Sequence, residues 1–289
     1  EGELGHNAPL HPILSPYPVP VATGSTTGSD AYWRLQPGYK AVKLSTGGSQ
    51  SQTMCAIMDT GIAYCWGQAK FGQTGSGAFD PHYNYGQPVR VTGISNVTDI
   101  SQDGFPYELP FLKFPYSRVP HVCAIASGRV YCWGGAGDGQ SGDSAYDNLT
   151  YKTYTVPKEV KGLPGVSKRV AVGLGHSCAL VELSDGKHKV YCWGANMVGQ
   201  LGAGESSDPS KVGGITQSNT PREIRGLPAG ERIVSMSAGA NRGCVIMSNK
   251  RSYCWGLNTD GQIGDGTYQN RFSPTESLFL RPTQNRYIY

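Results

Sequence analysis

The chain has no long apolar run: nothing in it approaches the roughly 20 residues that a bilayer-spanning helix requires, so membrane insertion is not expected. Charge is also scarce, with 16% charged residues and a formal net charge of +4 over 289 residues. No basic run outgrows a pair such as Lys168-Arg169 or Lys250-Arg251. Neither nucleic acid nor an anionic membrane is therefore the expected partner. Paired carboxylates and a convergent base and nucleophile are missing. The glycine loops lack the Lys-Ser/Thr that would follow in a phosphate-cradling loop. An enzyme, a resident metal and a cofactor are not expected. Phenylalanine is sparse (7) beside tyrosine (17) and glycine (40), a composition of many turns and short strands. The chain begins at Glu1 with no visible signal peptide, as a processed secreted chain or a fragment would.

What the chain does contain is one tetrapeptide, Tyr-Cys-Trp-Gly, four times over. It stands at Tyr64-Cys65-Trp66-Gly67, Tyr131-Cys132-Trp133-Gly134, Tyr191-Cys192-Trp193-Gly194 and Tyr253-Cys254-Trp255-Gly256. A further cysteine precedes each copy, at Cys55, Cys123, Cys178 and Cys244, and these account for all 8 cysteines. From Cys65 to Cys132, Cys192 and Cys254 the steps are 67, 60 and 62 residues. Each unit also carries a short alternating strand before the first cysteine, a Gly-Gln-x-Gly loop after the tryptophan, and a closing edge strand that begins at a proline (Pro88, Pro157, Pro221, Pro274). Four strands in about 60 residues point to propeller blades rather than a helical solenoid.

Within a unit the two cysteines bracket a β-hairpin. Side chains alternate along a strand, so the tyrosine and tryptophan share the face opposite the cysteine. The residue after the first cysteine is small (Ala56, Ala124, Ala179, Val245), which leaves room for a ring on the facing strand. Cysteines directly across an antiparallel pair lie within disulfide reach. Of the pairings that eight cysteines allow, the four local ones are expected: Cys55–Cys65, Cys123–Cys132, Cys178–Cys192 and Cys244–Cys254. The alternatives are free buried cysteines or zinc, which calls for closer spacings or convergent distant pairs. Even, repeated cysteines favour an oxidising, extracellular location. Asp138, Asp143, Asp260 and Asp265 stand in glycine turns and read as turn residues rather than calcium ligands. His121 and His176, two residues before a cysteine, read as structural.

Residues 1–30 differ from the rest. Prolines, including Pro16 and Pro18 around Tyr17, stiffen the first part, and a Gly/Ser/Thr run follows. This arm has no core of its own and is expected to lie on its own domain or on a neighbouring copy. The second unit holds an insertion, Phe105 to Tyr116, in which Phe105, Tyr107, Phe111, Phe114 and Tyr116 are aromatic. It reads either as a flap over a blade end or as a partner surface. Asn96-Val97-Thr98 and Asn148-Leu149-Thr150 are N-glycosylation sequons. Thr23, Ser25, Thr26 and Thr27 are O-glycan candidates on composition.

These motifs resemble the RCC1-like repeat family: a Gly-x-x-His, a Cys-Ala-Leu strand, a Tyr-Cys-Trp-Gly strand and a Gly-Gln-Leu-Gly loop. The third and fourth units match almost completely, and the resemblance covers roughly residues 38–280. It implies an all-β propeller domain over residues 31–289, with four-stranded blades near 38–95, 96–166, 167–230 and 231–289 and an extended N-terminal arm. The Cys-paired form resembles the secreted or cell-surface branch. The family usually closes seven blades, while four are visible here. A ring of four and an open arc completed by another copy both remain open. The exchange-factor and chromatin roles of nuclear members do not carry over to a disulfide-bearing chain of near-neutral charge.

The expected function is a secreted structural protein that self-associates into a filament or surface assembly, with the arm (Pro16, Tyr17, Pro18) and the aromatic insertion making contacts between copies. The alternative is a binding module for a glycan or protein ligand, its Tyr- and Trp-rich loops stacking on the ligand.

Overall fold

A computed structural model describes residues 40–47, 52–78, 84–104, 119–144, 152–205, 210 and 214–278. The arm (1–30), the aromatic insertion and the Asn148 sequon lie outside the described residues. The described chain is all strand and turn. It forms four antiparallel four-stranded sheets, each a meander of consecutive strands. The first comprises β1 (Ala41–Ser45), β2 (Thr53–Met58), β3 (Ala63–Gln68) and β4 (Asn84–Arg90). The second comprises β5 (Val97–Asp103), β6 (His121–Ala126), β7 (Arg129–Gly135) and β8 (Thr153–Glu159). The third comprises β9 (Val166–Val172), β10 (His176–Glu182), β11 (His188–Ala195) and β12 (Gln217–Glu223). The fourth comprises β13 (Ile233–Gly239), β14 (Arg242–Met247), β15 (Ser252–Gly256) and β16 (Arg271–Glu276). These are four blades of a β-propeller.

The hairpin register follows from the side-chain alternation. Cys55 faces Cys65, Cys123 faces Cys132, Cys178 faces Cys192 and Cys244 faces Cys254. Next to them the small residue faces the ring: Ala56 opposite Tyr64, Ala124 opposite Tyr131, Ala179 opposite Tyr191 and Val245 opposite Tyr253. All four facing pairs are disulfide-bonded, at sequence separations of 10, 9, 14 and 10.

The outer strands do not begin at their prolines, as the sequence reading expects. They begin three or four residues earlier, and Pro88, Pro157, Pro221 and Pro274 fall inside a register shift. In the second blade, Cys132 pairs with Lys158 but Gly134 pairs with Tyr154, so the intervening stretch is bulged. A bulge on an edge strand asks no ladder hydrogen bond of the proline.

Blades stack in chain order. The disulfide face of the first blade (Cys55, Ile57, Ala63, Cys65) packs on Ile100, Ala124 and Trp133 of the second. Cys123, Ile125, Val130 and Cys132 pack on Val170, Ala179 and Trp193 of the third. Cys178, Leu180, Val190 and Cys192 pack on Val245, Tyr253 and Trp255 of the fourth. At each of these three seams the earlier blade turns its disulfide face, and the later blade its aromatic face, to the other. Among the described strands, no packing of comparable extent joins the first sheet to the fourth. The four described blades follow one another as an arc whose first and fourth sheets do not pack together.

Candidate interaction surface

The seam between blades is built from the Gly-Gln-x-Gly loop. In each loop the glutamine side chain folds back and accepts a hydrogen bond from the amide two residues before it. The bonds run from Phe71 to Gln73 (2.8 Å), Asp138 to Gln140 (2.7 Å), Val198 to Gln200 (2.9 Å) and Asp260 to Gln262 (2.9 Å). This aims the glutamine's own carbonyl at the following blade. The Trp133 indole N–H donates to the Gln73 carbonyl at 2.8 Å, Trp193 to Gln140 at 2.9 Å and Trp255 to Gln200 at 2.9 Å. The loop's second glycine lies against the same ring: a Cβ on Gly75, Gly142 or Gly202 would meet the next tryptophan at 2.7, 2.9 or 2.8 Å. Further along, the amides of Gly77, Ser144 and Gly204 bond to Thr155, Asn219 and Phe272 on the next blade's outer strand. A tryptophan buried in a dry seam needs a partner for its N–H, and the loop supplies it. Sequence reading had found the loop and the tryptophan in every unit without linking them. Their one-to-one recurrence was the available signal.

At the inner strands, polar groups cross the seams. Asp99, 2% exposed, accepts hydrogen bonds from the Val170 amide (2.9 Å) of the third blade and from the Ile100 amide (3.1 Å), and pairs with Lys43 of the first. Gln102 donates to the Ser45 carbonyl at 3.0 Å and also to that of Thr53. Ser101 accepts from the Val172 amide at 3.1 Å. One blade's inner strand thus fixes both neighbours. Nothing in the composition pointed to this network.

His121 Nε2 lies 2.7 Å from Ser177 Oγ, across the seam between the second and third blades. A Ser–His contact invites a catalytic reading, but both residues are sealed, at 1% and 0% exposure. Ser177 also stands 3.3 Å from the disulfide sulfur of Cys123. Burial is the main cause that lowers His121 to about 3; neighbouring His176 adds to it, and a contact with the Val119 backbone opposes it. Burial likewise lowers His176 to about 4, opposed by the Arg242 backbone. Both imidazoles are neutral struts of the seam. The loop carboxylates also serve the fold. Asp143 bonds to Ser141 and Tyr154, and Asp265 to Thr267, Asn258 and Arg271. Among the described residues there is no cluster of metal-binding side chains, and no helix long and apolar enough to cross a membrane.

The exception is the disulfide face of the fourth blade. The residue two beyond the first cysteine is 2% exposed at Ile57, 1% at Ile125 and 4% at Leu180, but 38% at Ile246. Cys244 is half-buried, whereas its counterparts are sealed. Gln73, Gln140 and Gln200 are buried, and Gln262 is only partly so. In the first blade, Leu44 holds the position of Ile100 (1%) and Val170 (6%), yet it is 59% exposed. Of the sequon residues, Asn96 is exposed, in a turn with φ of 53°.

Family models described as Regulator of chromosome condensation (RCC1) repeat match residues 127–180 and 187–246, and a second model of the same description matches 233–262. The Ultraviolet-B receptor UVR8 of Arabidopsis thaliana is 23% identical over 256 residues, covering 88% of this chain and 50% of that protein. The human E3 ubiquitin-protein ligase HERC2 is 24% identical over 233 residues, covering 80% of this chain but 4% of the ligase. Among solved structures, Prp20p from Saccharomyces cerevisiae superposes with a TM-score of 0.64 at 20% identity, over 86% of this chain and 52% of that one. The chain thus spans about half or less of the relatives it matches. That likeness, the four-stranded blades and the recurrent Tyr-Cys-Trp-Gly and Gly-Gln-x-Gly motifs agree: the chain is built of RCC1-like repeats, matched by the family models over residues 127–180 and 187–262.

Proposed function

We propose that this chain is a structural subunit of an extracellular assembly, in which propeller arcs associate through the faces they leave uncovered. The observation that carries the reading is the contrast between three sealed disulfide faces and the fourth, where Ile246 is 38% exposed. Four disulfides suit an oxidising compartment. Burial of the one Ser–His contact speaks against hydrolytic chemistry there. Asn96, exposed at a turn, is open to a glycan. The arm and the aromatic insertion would add contacts between copies. The decisive experiment is light scattering with electron microscopy of the oxidised chain over a wide concentration range. Oligomers or filaments are expected, and a monomer throughout would overturn the reading.

A second reading, a module that binds a different protein, draws on Prp20p, which has been studied for its binding to Gsp1p and histones. It expects a monomer that captures a ligand at a defined ratio.

A further inference from the structure

We infer that the seam between the second and third blades holds a binding site for a small organic acid. The ligand's carboxylate meets Arg129 and Lys161 at the mouth, and its aliphatic body lies between Val130, Val160 and Leu163. A polar atom of the ligand meets the Ser167 hydroxyl inside. The site is independent of any association between copies.

The same four positions close each seam beside the linker that joins two blades. Between the first and second blades they are Ala63, Val91, Ile94 and Val97. Between the third and fourth they are Val190, Ile224, Leu227 and Ile233. Between the second and third they are Val130, Val160, Leu163 and Ser167. The last position is fixed by register: Val97 faces Ala126, Ser167 faces Val181 and Ile233 faces Met247. All three are buried, at 3%, 4% and 5% exposure. Of the three, Ser167 alone is polar, and it is the smallest. Its hydroxyl has no hydrogen-bond partner among the described residues, which is unusual for a buried polar group. A cavity of about 390 Å³ opens at this place, lined by all four of these residues. That volume lies within the range of small-molecule sites.

The charged lining residues set the ligand's chemistry. The side chains of Arg129 and Lys161 are 67% and 56% exposed, so they stand at the mouth while Ser167 lies deep. Glu159 accepts from Arg129 Nη1 at 2.9 Å through one carboxylate oxygen and from Lys161 Nζ at 2.8 Å through the other. Both of its oxygens are thus engaged. A guanidinium carries five N–H donors and an ammonium three, so donors are left over at the mouth. Two cations beside one carboxylate also leave one positive charge in surplus. A monoanion with acceptor oxygens balances it, and a carboxylate matches the guanidinium in shape. A phosphate monoester would bring nearly twice that charge. The remaining walls are aliphatic, and no lining residue is aromatic, which favours an aliphatic acid over a sugar.

The test is isothermal titration calorimetry of the oxidised chain at low salt with N-acetyl-L-leucine. This probe carries a carboxylate, an isobutyl group and an amide carbonyl; N-acetyl-L-leucinamide is its uncharged counterpart. One acid should bind per chain, and the amide should bind about tenfold more weakly or worse, as expected on losing a hydrogen bond to a charged group. Ser167→Val installs the residue found at Val97 and should abolish binding. Tryptophan fluorescence checks that this variant folds. Should it misfold, Ser167→Ala removes only the hydroxyl and should weaken binding without loss of stability. Arg129→Gln and Lys161→Gln should each weaken binding. Lys187→Gln, whose side chain is 75% exposed in the third blade, should not. No saturable binding of the acid by wild type would overturn the inference. Equal binding of acid and amide would overturn the anionic assignment. Binding that the Ser167 variants leave unchanged would overturn the location.

Discussion

Two alanine substitutions that look equivalent in sequence should differ in cost, and the difference measures the seam. Gly202 and Gly264 are the second glycines of two Gly-Gln-x-Gly loops, at φ of 64° and 73°. Either alanine forces an L-residue into the left-handed region, at about 1–2 kcal/mol. Beyond that they part. At Gly202 the new Cβ would stand 2.8–3.0 Å from Cδ1, Nε1 and Cγ of the Trp255 ring, which is wedged between blades and bonded to Gln200. The ring cannot retreat without opening the seam, and overpacking of this kind costs about 1–3 kcal/mol more. At Gly264 the nearest atom is Ser277 Oγ at 2.8 Å, which rotates away. Gly202→Ala should therefore lose about 2–5 kcal/mol and Gly264→Ala about 1–2. Urea titration followed by tryptophan fluorescence reads the difference, at concentrations where the chain is monomeric. Equal losses, or a greater loss at Gly264, would refute the claim that the loop glycines exist to admit the next blade's tryptophan.

The buried imidazoles make stability depend on pH. With folded values near 3 for His121 and 4 for His176, against about 6.5 unfolded, the unfolded chain takes up protons first. The stability is whole above pH 6.5 and declines as pH falls toward 4, by about 1.4 kcal/mol per pH unit for each ring. The urea midpoint should thus drop between pH 7 and 5 by an amount worth about 2–4 kcal/mol, and H121Q/H176Q should flatten that slope; a pH-independent midpoint in wild type would contradict the burial. The disulfides should differ in reactivity. Cys244 is half-buried while the other bridges are sealed, so gentle reduction with alkylation and mass spectrometry should label Cys244 and Cys254 first, and prior labelling of any other pair would count against the exposure of this face. Replacing both Cys178 and Cys192 by alanine removes a link across 14 residues, worth about 3 kcal/mol in the chain-entropy model, to be read from the urea midpoint.

Much of the fold was legible in the sequence because it is written in local chemistry. Cysteine opposite cysteine and a small residue opposite tyrosine fix the register of every hairpin, and the repeat shows it four times. The strand boundaries were less so. A proline marks an edge strand but not its start, since the bulge around Pro157 lets the strand begin at Thr153. The polar network around Asp99 and Gln102 was not legible at all. Those residues act across blade boundaries, and at their positions the other blades carry different side chains, so no recurrence announces them.

The same reasoning explains why sequence could not decide between ring and arc. Blade-to-blade packing uses the same residue types at every seam, so the fourth disulfide face is composed like the first three. Cys244, Ile246 and Cys254 read as core residues. Only the exposure of Ile246 and the half-burial of Cys244 show that no described blade packs on this face. A repeat whose seams are interchangeable carries, at each free end, a surface already suited to another copy of itself. Natural repeat arrays blunt their outermost faces with polar caps, whereas Leu44 and Ile246 are apolar and exposed.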